Sequence, residues 1–197
     1  MDKRVKEEID QLIAQIIDLE WEMFSTVNAA EPASCQQNPK TFRLMRWMSH
    51  SVHGEELLRS LLADLERARD EERNMMTEKY ARMENRIPPL KDVSVLAMIH
   101  EIADIEDRWM TPLREAYPLT FQAQGAGFHH YTVCELETYS EATIEAYYRE
   151  IQEALERGDN LLEKRYCKLF GRLGYDSLQQ RENDLRQKLE TQSFRGC

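Results

Sequence analysis

Two glutamates interrupt rows of apolar residues in the same way. Glu20 falls on the row Ile9–Ile13–Ile16–Glu20–Met23–Val27, with steps of 4, 3, 4, 3 and 4. Glu106 falls on Val95–Ile99–Ile102–Glu106–Trp109–Leu113 with the same steps. Those steps place one stripe on a helix, so both carboxylates should turn toward the core. An ionised carboxylate taken out of water is costly unless it is paired, metal-bound or protonated. Two readings follow. In one, each Glu takes a structural salt bridge or hydrogen bond from Arg46, Arg165, Tyr80 or Tyr166. In the other, Glu20 and Glu106 are the central acids of a catalytic or ligand pocket, with Arg46, Tyr80 and Tyr166 as binding partners and Cys35 and Gln36 at its mouth. Interacting carboxylates in an apolar site have their pKa values pushed apart, which suits acid–base work or cation binding.

Other chemistry-bearing residues give weaker signals. Asp18 and Asp104 lie two residues before the glutamates and so on another helix face, solvated or pairing helices. Cys35, in Pro32-Ala33-Ser34-Cys35-Gln36, would need a neighbouring base or positive charge to become a nucleophile. His50, His53 and Glu56 are spaced i, i+3, i+6, but Gly54 interrupts them. His100 and Asp104 share an i, i+4 face, and His129-His130 precedes Cys134. A ferritin-type di-iron bundle needs Glu-x-x-His on two helices, and no histidine here has a glutamate three positions before it. No transition metal and no cofactor is therefore expected. Phosphate-cradling glycine loops, nucleophile elbows and zinc-protease motifs are absent.

The elements that must position these residues repeat along the chain. Sliding the sequence on itself by 86 residues lays 12–86 over 98–172 without a gap, with 13 identities in 75 positions. Chance alone gives roughly four or five from average composition. The identities include Ile13/Ile99, Glu20/Glu106, Pro32/Pro118, Phe42/Phe128, Asn74/Asn160 and Tyr80/Tyr166, and Lys79/Arg165 is among the conservative pairs. Each segment then reads as a long first helix (Lys3 to Val27, Val93 to Glu115), a loop with proline or glycine, a segment from Phe42 or Phe128, a helix from Glu55 or Glu141, and a short helix after Asn74 or Asn160. Ser140 suits an N-cap, and Asn160 with Glu163 resembles a capping box. Pro88-Pro89 separates the halves, about 3–86 and 93–172. Asp176 can cap a terminal helix of about 176–190, and Ser193–Cys197 reads as a frayed end. The expected fold is all-α: one helical bundle over 1–197, built from two tandem repeats of about 86 residues around a pseudo-two-fold axis.

Composition agrees with helix and limits the partners. Seven Gly and six Pro in 197 residues are too few for a turn-rich β-sandwich or barrel. Lys plus Arg total 26 against 36 Asp plus Glu, a formal charge of −10, which repels phosphate backbones, so nucleic acid is not expected as a partner. No apolar run approaches the roughly 20 residues of a membrane span, and no apolar signal core follows the N-terminus. The four cysteines are scattered and fit neither a zinc spacing nor a disulfide scaffold. A soluble cytoplasmic protein is expected.

Several strings carry a resemblance: Asp18-Leu19-Glu20-Trp21-Glu22-Met23-Phe24, Ala33-Ser34-Cys35-Gln36, Phe42 with Met45-Arg46, and Asn74 through Met83. Glu135-Leu136-Glu137-Thr138-Tyr139-Ser140 and Gly174-Tyr175-Asp176-Ser177-Leu178 continue it. Together they resemble a bacterial family catalogued as domain of unknown function 4125, over nearly the whole chain. The resemblance implies a full-length single-domain member and no particular reaction. It raises interest in Glu20, Cys35, Gln36, Arg46 and Tyr80 without assigning them roles. Trp47 through His53 depart from that family's pattern, so a histidine-based site would be peculiar to this chain. The functional expectation is a small-molecule-binding protein or enzyme with its pocket between the halves. The alternative is an interaction module whose acidic surface or terminal helix engages a protein partner or a second copy, with Leu178, Leu185 and Leu189 on one face either serving that role or merely docking on the core.

Overall fold

Each long helix closes on the apolar row that specifies it. In a computed structural model that describes residues 3–27, 34–122 and 127–195, α1 spans Lys3–Ser25 and buries Ile13, Ile16, Glu20 and Met23 along one side. The fifth helix, α5, spans Val93–Ala116 and buries Ile99, Ile102, Glu106, Met110 and Leu113. Between them lie a 3-10 turn (Ser34–Gln37), α2 (Pro39–His50), α3 (Glu55–Asp70) and α4 (Met75–Met83). After α5 come α6 (Phe128–Leu136), α7 (Glu141–Glu156), α8 (Leu161–Arg172) and α9 (Leu178–Arg195). Among the described residues the protein is a nine-helix bundle without strands, the all-α class expected.

Packing follows two parallel patterns. α1 packs on α2, α3 and α4, and α5 packs on α6, α7 and α8. Three further contacts join the groups: α3 lies on α7, α4 on α6, and α2 on α8. The α3–α7 contact is tied by carboxylates that reach across to helix starts. Asp64 of α3 accepts the Ser140 N–H at 2.8 Å and the Thr143 hydroxyl at 2.6 Å. Glu150 of α7 accepts the Gly54 N–H at 2.7 Å. Anions at helix N-termini satisfy orphan donors and oppose the positive end of the helix dipole.

The caps expected at Asn74, Ser140 and Asn160 are present. Asn74 Oδ1 accepts from Thr77 N at 2.9 Å, and Asn160 Oδ1 from Glu163 N at 2.9 Å. Their amide nitrogens do a second job. Asn74 Nδ2 donates to the Met23 carbonyl near the end of α1, and Asn160 Nδ2 to the Trp109 carbonyl of α5, both at 2.9 Å. Each asparagine thus starts one helix while tying it to the long helix beside it.

The terminal helix departs from expectation. Ser177, rather than Asp176, caps it, its Oγ accepting from Gln180 N at 3.1 Å. The helix continues to Arg195, through most of the stretch expected to fray. Leu178 is buried with Phe121, Tyr166 and Leu169, so it anchors α9 to the core and offers nothing to a partner. Leu189 is exposed and Leu185 half-buried. Ala substitution at Asn74 or Asn160 removes a cap and an inter-helix bond together. Each variant should lose about 1–2 kcal/mol of stability in urea unfolding, whereas Asn→Asp, which keeps the capping oxygen, should lose less.

Candidate functional site

α2 begins with Asn38, whose side chain accepts the Thr41 N–H, followed by Pro39 at its first position, a proline site that sacrifices no helical hydrogen bond. That start sets the helix so that Arg46 and His50, four residues apart, share its inner face. Arg46 meets Glu20 of α1 through two parallel hydrogen bonds, Nε to Oε2 at 2.7 Å and Nη2 to Oε1 at 2.5 Å. The same Nη2 donates to Glu135 Oε1 of α6 at 2.6 Å. Lys79 of α4 donates to Glu135 Oε2 at 2.7 Å while its ammonium lies 3.5 Å from the centre of the Tyr131 ring. The Tyr139 hydroxyl donates to Glu135 at 3.1 Å, and His50 Nε2 sits 3.0 Å from Glu20 Oε1. Glu20 is 1 % exposed and Lys79 2 %, so two carboxylates and two cations from four helices neutralise one another inside the fold.

A second network surrounds Glu106, also 1 % exposed. The Tyr147 hydroxyl of α7 donates to Glu106 Oε1 at 2.7 Å, and Arg165 of α8 lies 3.1 Å from the same oxygen. Arg165 Nη2 donates to the Tyr147 oxygen at 2.6 Å and approaches His53 Nε2 to 3.0 Å. On its other side, His53 Nδ1 is 2.8 Å from Glu150. A guanidinium only donates and a carboxylate only accepts, so these partners fix His53 as the neutral tautomer with its proton on Nδ1.

The titration behaviour follows from the same contacts. Burial pushes the Glu20 carboxyl up, but the Arg46 and His50 charges and hydrogen bonds outweigh it and bring the pKa down to about 2. Burial also opposes ionisation of Glu135, and Arg46 with Lys79 hold it well below the usual carboxylate range. Burial holds His53 below the ordinary histidine value, with Glu150 opposing only in part. Tyr166 is pushed up to about 12, chiefly by burial.

The two networks border one cavity of about 460 Å³, within the size range of small-molecule sites. Its polar wall comprises Arg46, His50, His53, Glu106, Glu135 and Arg165, with Tyr131, Tyr139, Tyr147 and Tyr166 beside them. Met45, Met48, Leu57, Leu58, Leu61, Met83, Phe128, Leu136 and Leu162 supply the apolar remainder.

The residues singled out from sequence are distributed unevenly over this site. Arg46, Glu106 and Tyr166 line the cavity. Glu20 stands one layer behind, bonded to Arg46 and His50, and borders only a void of about 10 Å³. The cavity is therefore not centred on both acids. Tyr80 packs against Phe24 at 6.0 Å and leaves the inner position to its neighbour Lys79. Gln36 donates to the Phe24 and Val27 carbonyls, closing the end of α1 away from the cavity. The Cys35 side chain lies outside the described residues. His50 and His53 sit in different networks, and Glu56 pairs with Arg149. No group of three or more His, Cys, Asp or Glu among the described residues is arranged to hold a metal ion. Of the residues that sequence reasoning missed, Glu135 and Tyr139 are spaced four apart but lie off any long apolar row. Lys79 was passed over as well, although it matches Arg165, which was named as a partner for the glutamates, at the 86-residue offset.

The described residues form an all-helical protein with a cavity lined by charged, aromatic and apolar side chains, and no described helix is long and apolar enough to cross a membrane. The chain belongs to the family described as "Protein of unknown function (DUF4125)", whose model matches residues 10–183. No curated protein and no solved structure matches it.

Glu20, Glu135 and His53 all have pKa values below their ordinary ones, so each favours the folded state above its unfolded value and loses that contribution as pH falls. Stability should begin to decline below about pH 6.5, as unfolded His53 gains its proton, and fall steeply below about pH 4.5, toward the Glu20 pKa of about 2. Urea unfolding across about pH 3 to 8 checks this. In His53→Gln the upper part of the decline should flatten while the lower part stays.

Proposed function

We propose that this protein binds a small organic molecule in the cavity bordered by the Glu20–Arg46–Glu135 and Glu106–Arg165–His53 networks. The observation that carries this reading is the composition of the wall. Burying ion pairs costs desolvation free energy that an apolar core of the same shape avoids. Here those pairs are grouped around an open space of about 460 Å³. Natural sites use the same pattern, an apolar envelope with a few fixed polar groups that orient the ligand. Residues from α2, α6, α7 and α8 contribute to it, so the site depends on the whole bundle.

We further propose that residues 3–86 and 93–172 are two copies of one helical unit, with 176–190 within an appended terminal helix, and that the cavity lies between the copies. Supporting this are the pairs at the 86-residue offset that make matching contacts. Asn74 bonds the Met23 carbonyl as Asn160 bonds that of Trp109. Asp64 holds the start of α7 as Glu150 holds the start of α3.

Methyl-resolved NMR tests the binding reading directly. Fragments of a general library that bind should perturb the methyl groups of Met45, Met48, Leu57, Leu58, Leu61 and Leu162, and Leu162→Trp, which fills the space, should abolish those shifts. Fragments that bind elsewhere and leave these methyl groups unmoved would overturn the reading.

A further inference from the structure

One cation on the cavity wall has a donor that its neighbours do not use. Arg165 of α8 is buried, and Nη2 is the nitrogen that meets Tyr147, His53 and Glu106. Among the described residues, the buried side-chain nitrogens and oxygens without a hydrogen-bond partner are the Nε atoms of Arg114, Arg165 and Arg181. Of these three arginines only Arg165 lines the cavity. A buried donor left unbonded costs more than a bonded one gains, so native interiors rarely keep one. What such a group calls for is an acceptor.

Charge on the wall selects the kind of acceptor. Glu106 and Glu135 stand against Arg46 and Arg165, so the carboxylates and guanidiniums of the lining balance. Each of these guanidiniums already faces a carboxylate. His53 adds no charge, since Arg165 and Glu150 fix its neutral form. An ion would therefore carry an uncompensated charge out of water, at a desolvation cost that no excess charge on the wall offsets. A neutral oxygen satisfies Nε and leaves the balance intact. A carbonyl oxygen fits, because it accepts and has no proton of its own to place. Leu57, Leu58, Leu162, Phe128 and Tyr166 offer apolar and aromatic surface for the rest of the molecule.

Resting on the cavity's being the binding site, we propose that its ligand is an uncharged carbonyl compound with an apolar body, anchored through its oxygen by the Arg165 Nε–H. Nε is covered by its surroundings, so binding includes a small shift of the Arg165 side chain that brings this N–H to the oxygen. Glu106 and Tyr147 hold the guanidinium at the wall through its other end.

Three probes of one shape test this on the full chain: benzylacetone, a neutral ketone, butylbenzene, which has a methylene in place of the carbonyl, and the anion hydrocinnamate. Affinities come from calorimetry above the histidine titration range, and the site from the cavity methyl shifts and the Arg165 Hε resonance. The ketone should bind about tenfold more tightly than the hydrocarbon, as a hydrogen bond to a charged donor gives, and more tightly than the anion. It alone of the neutral pair should move the Hε resonance. Arg165→Met combined with Glu106→Gln removes the donor and its matching charge together, and in that variant the ketone's advantage should vanish. The resonance and the ranking in the unaltered protein decide the matter even if the variant fails to fold. Hydrocarbon or anion binding as tightly as the ketone, with the cavity methyl groups shifting, would overturn the carbonyl assignment and leave the cavity reading intact. Ketone binding that leaves the Hε resonance unmoved would overturn the anchor. If none of the three moves those methyl groups, this proposal falls, and the cavity reading is decided separately by the fragment library.

Discussion

Arg46 lies between two carboxylates that reach it from distant parts of the chain, Glu20 on α1 and Glu135 on α6. Neither acid can stay ionised in that interior alone, because desolvation of an unpaired carboxylate costs several kcal/mol even after relaxation, on the order of what a whole domain retains as net stability. The need for a counter-charge therefore dictates geometry. Glu20 draws α2 against α1, Glu135 draws α6 against α2 and, through Lys79, α4 against α6. Glu106 imposes the same requirement on α5 and α8 through Arg165. Apolar packing brings the helices together, and the ion pairs select which faces meet.

Glu20 and Glu106 align at the 86-residue offset in sequence, and their networks differ. On the 86-residue offset Lys79 aligns with Arg165 and Glu20 with Glu106, yet Arg165 pairs with Glu106 while Lys79 does not pair with Glu20. Arg46 pairs with Glu20 instead, and the residue aligned with Arg46 at the offset is Thr132, which carries no charge. Lys79 consequently turns to Glu135, and Arg165 serves Glu106 with Tyr147 and His53 sharing its Nη2. Both Glu20 oxygens are bonded to Arg46 one layer behind the cavity, whereas Glu106 lines it.

Much of the fold was legible because its signals are local. Helix periodicity set the long helices to within a few residues, and Asn74, Ser140 and Asn160 act on backbone groups three residues away. The burial of Glu20 and Glu106 could be read from their places in apolar rows for the same reason. The site was only half legible, since its chemistry depends on which distant cation reaches which acid. Arg46 was singled out, but Glu135 lies 89 residues from it and interrupts no apolar row. Tyr80 looked equivalent to Tyr166, yet rotation about a helix by one residue places Lys79 inward instead. Of the two readings open for Leu178, a partner contact or docking on the core, the Phe121–Tyr166–Leu169 cluster that covers it selects docking.

A double-mutant cycle on Glu20→Gln and Arg46→Gln, read by urea unfolding at pH 7, is the most direct measurement of the interaction on which this arrangement depends. Each single change should cost on the order of 3–5 kcal/mol by leaving a buried charge without its partner. The double variant should recover more than about 2 kcal/mol of the summed loss, because the two groups act on each other. Single losses that add to within about 0.5 kcal/mol would contradict it, since sites that do not interact behave in that way.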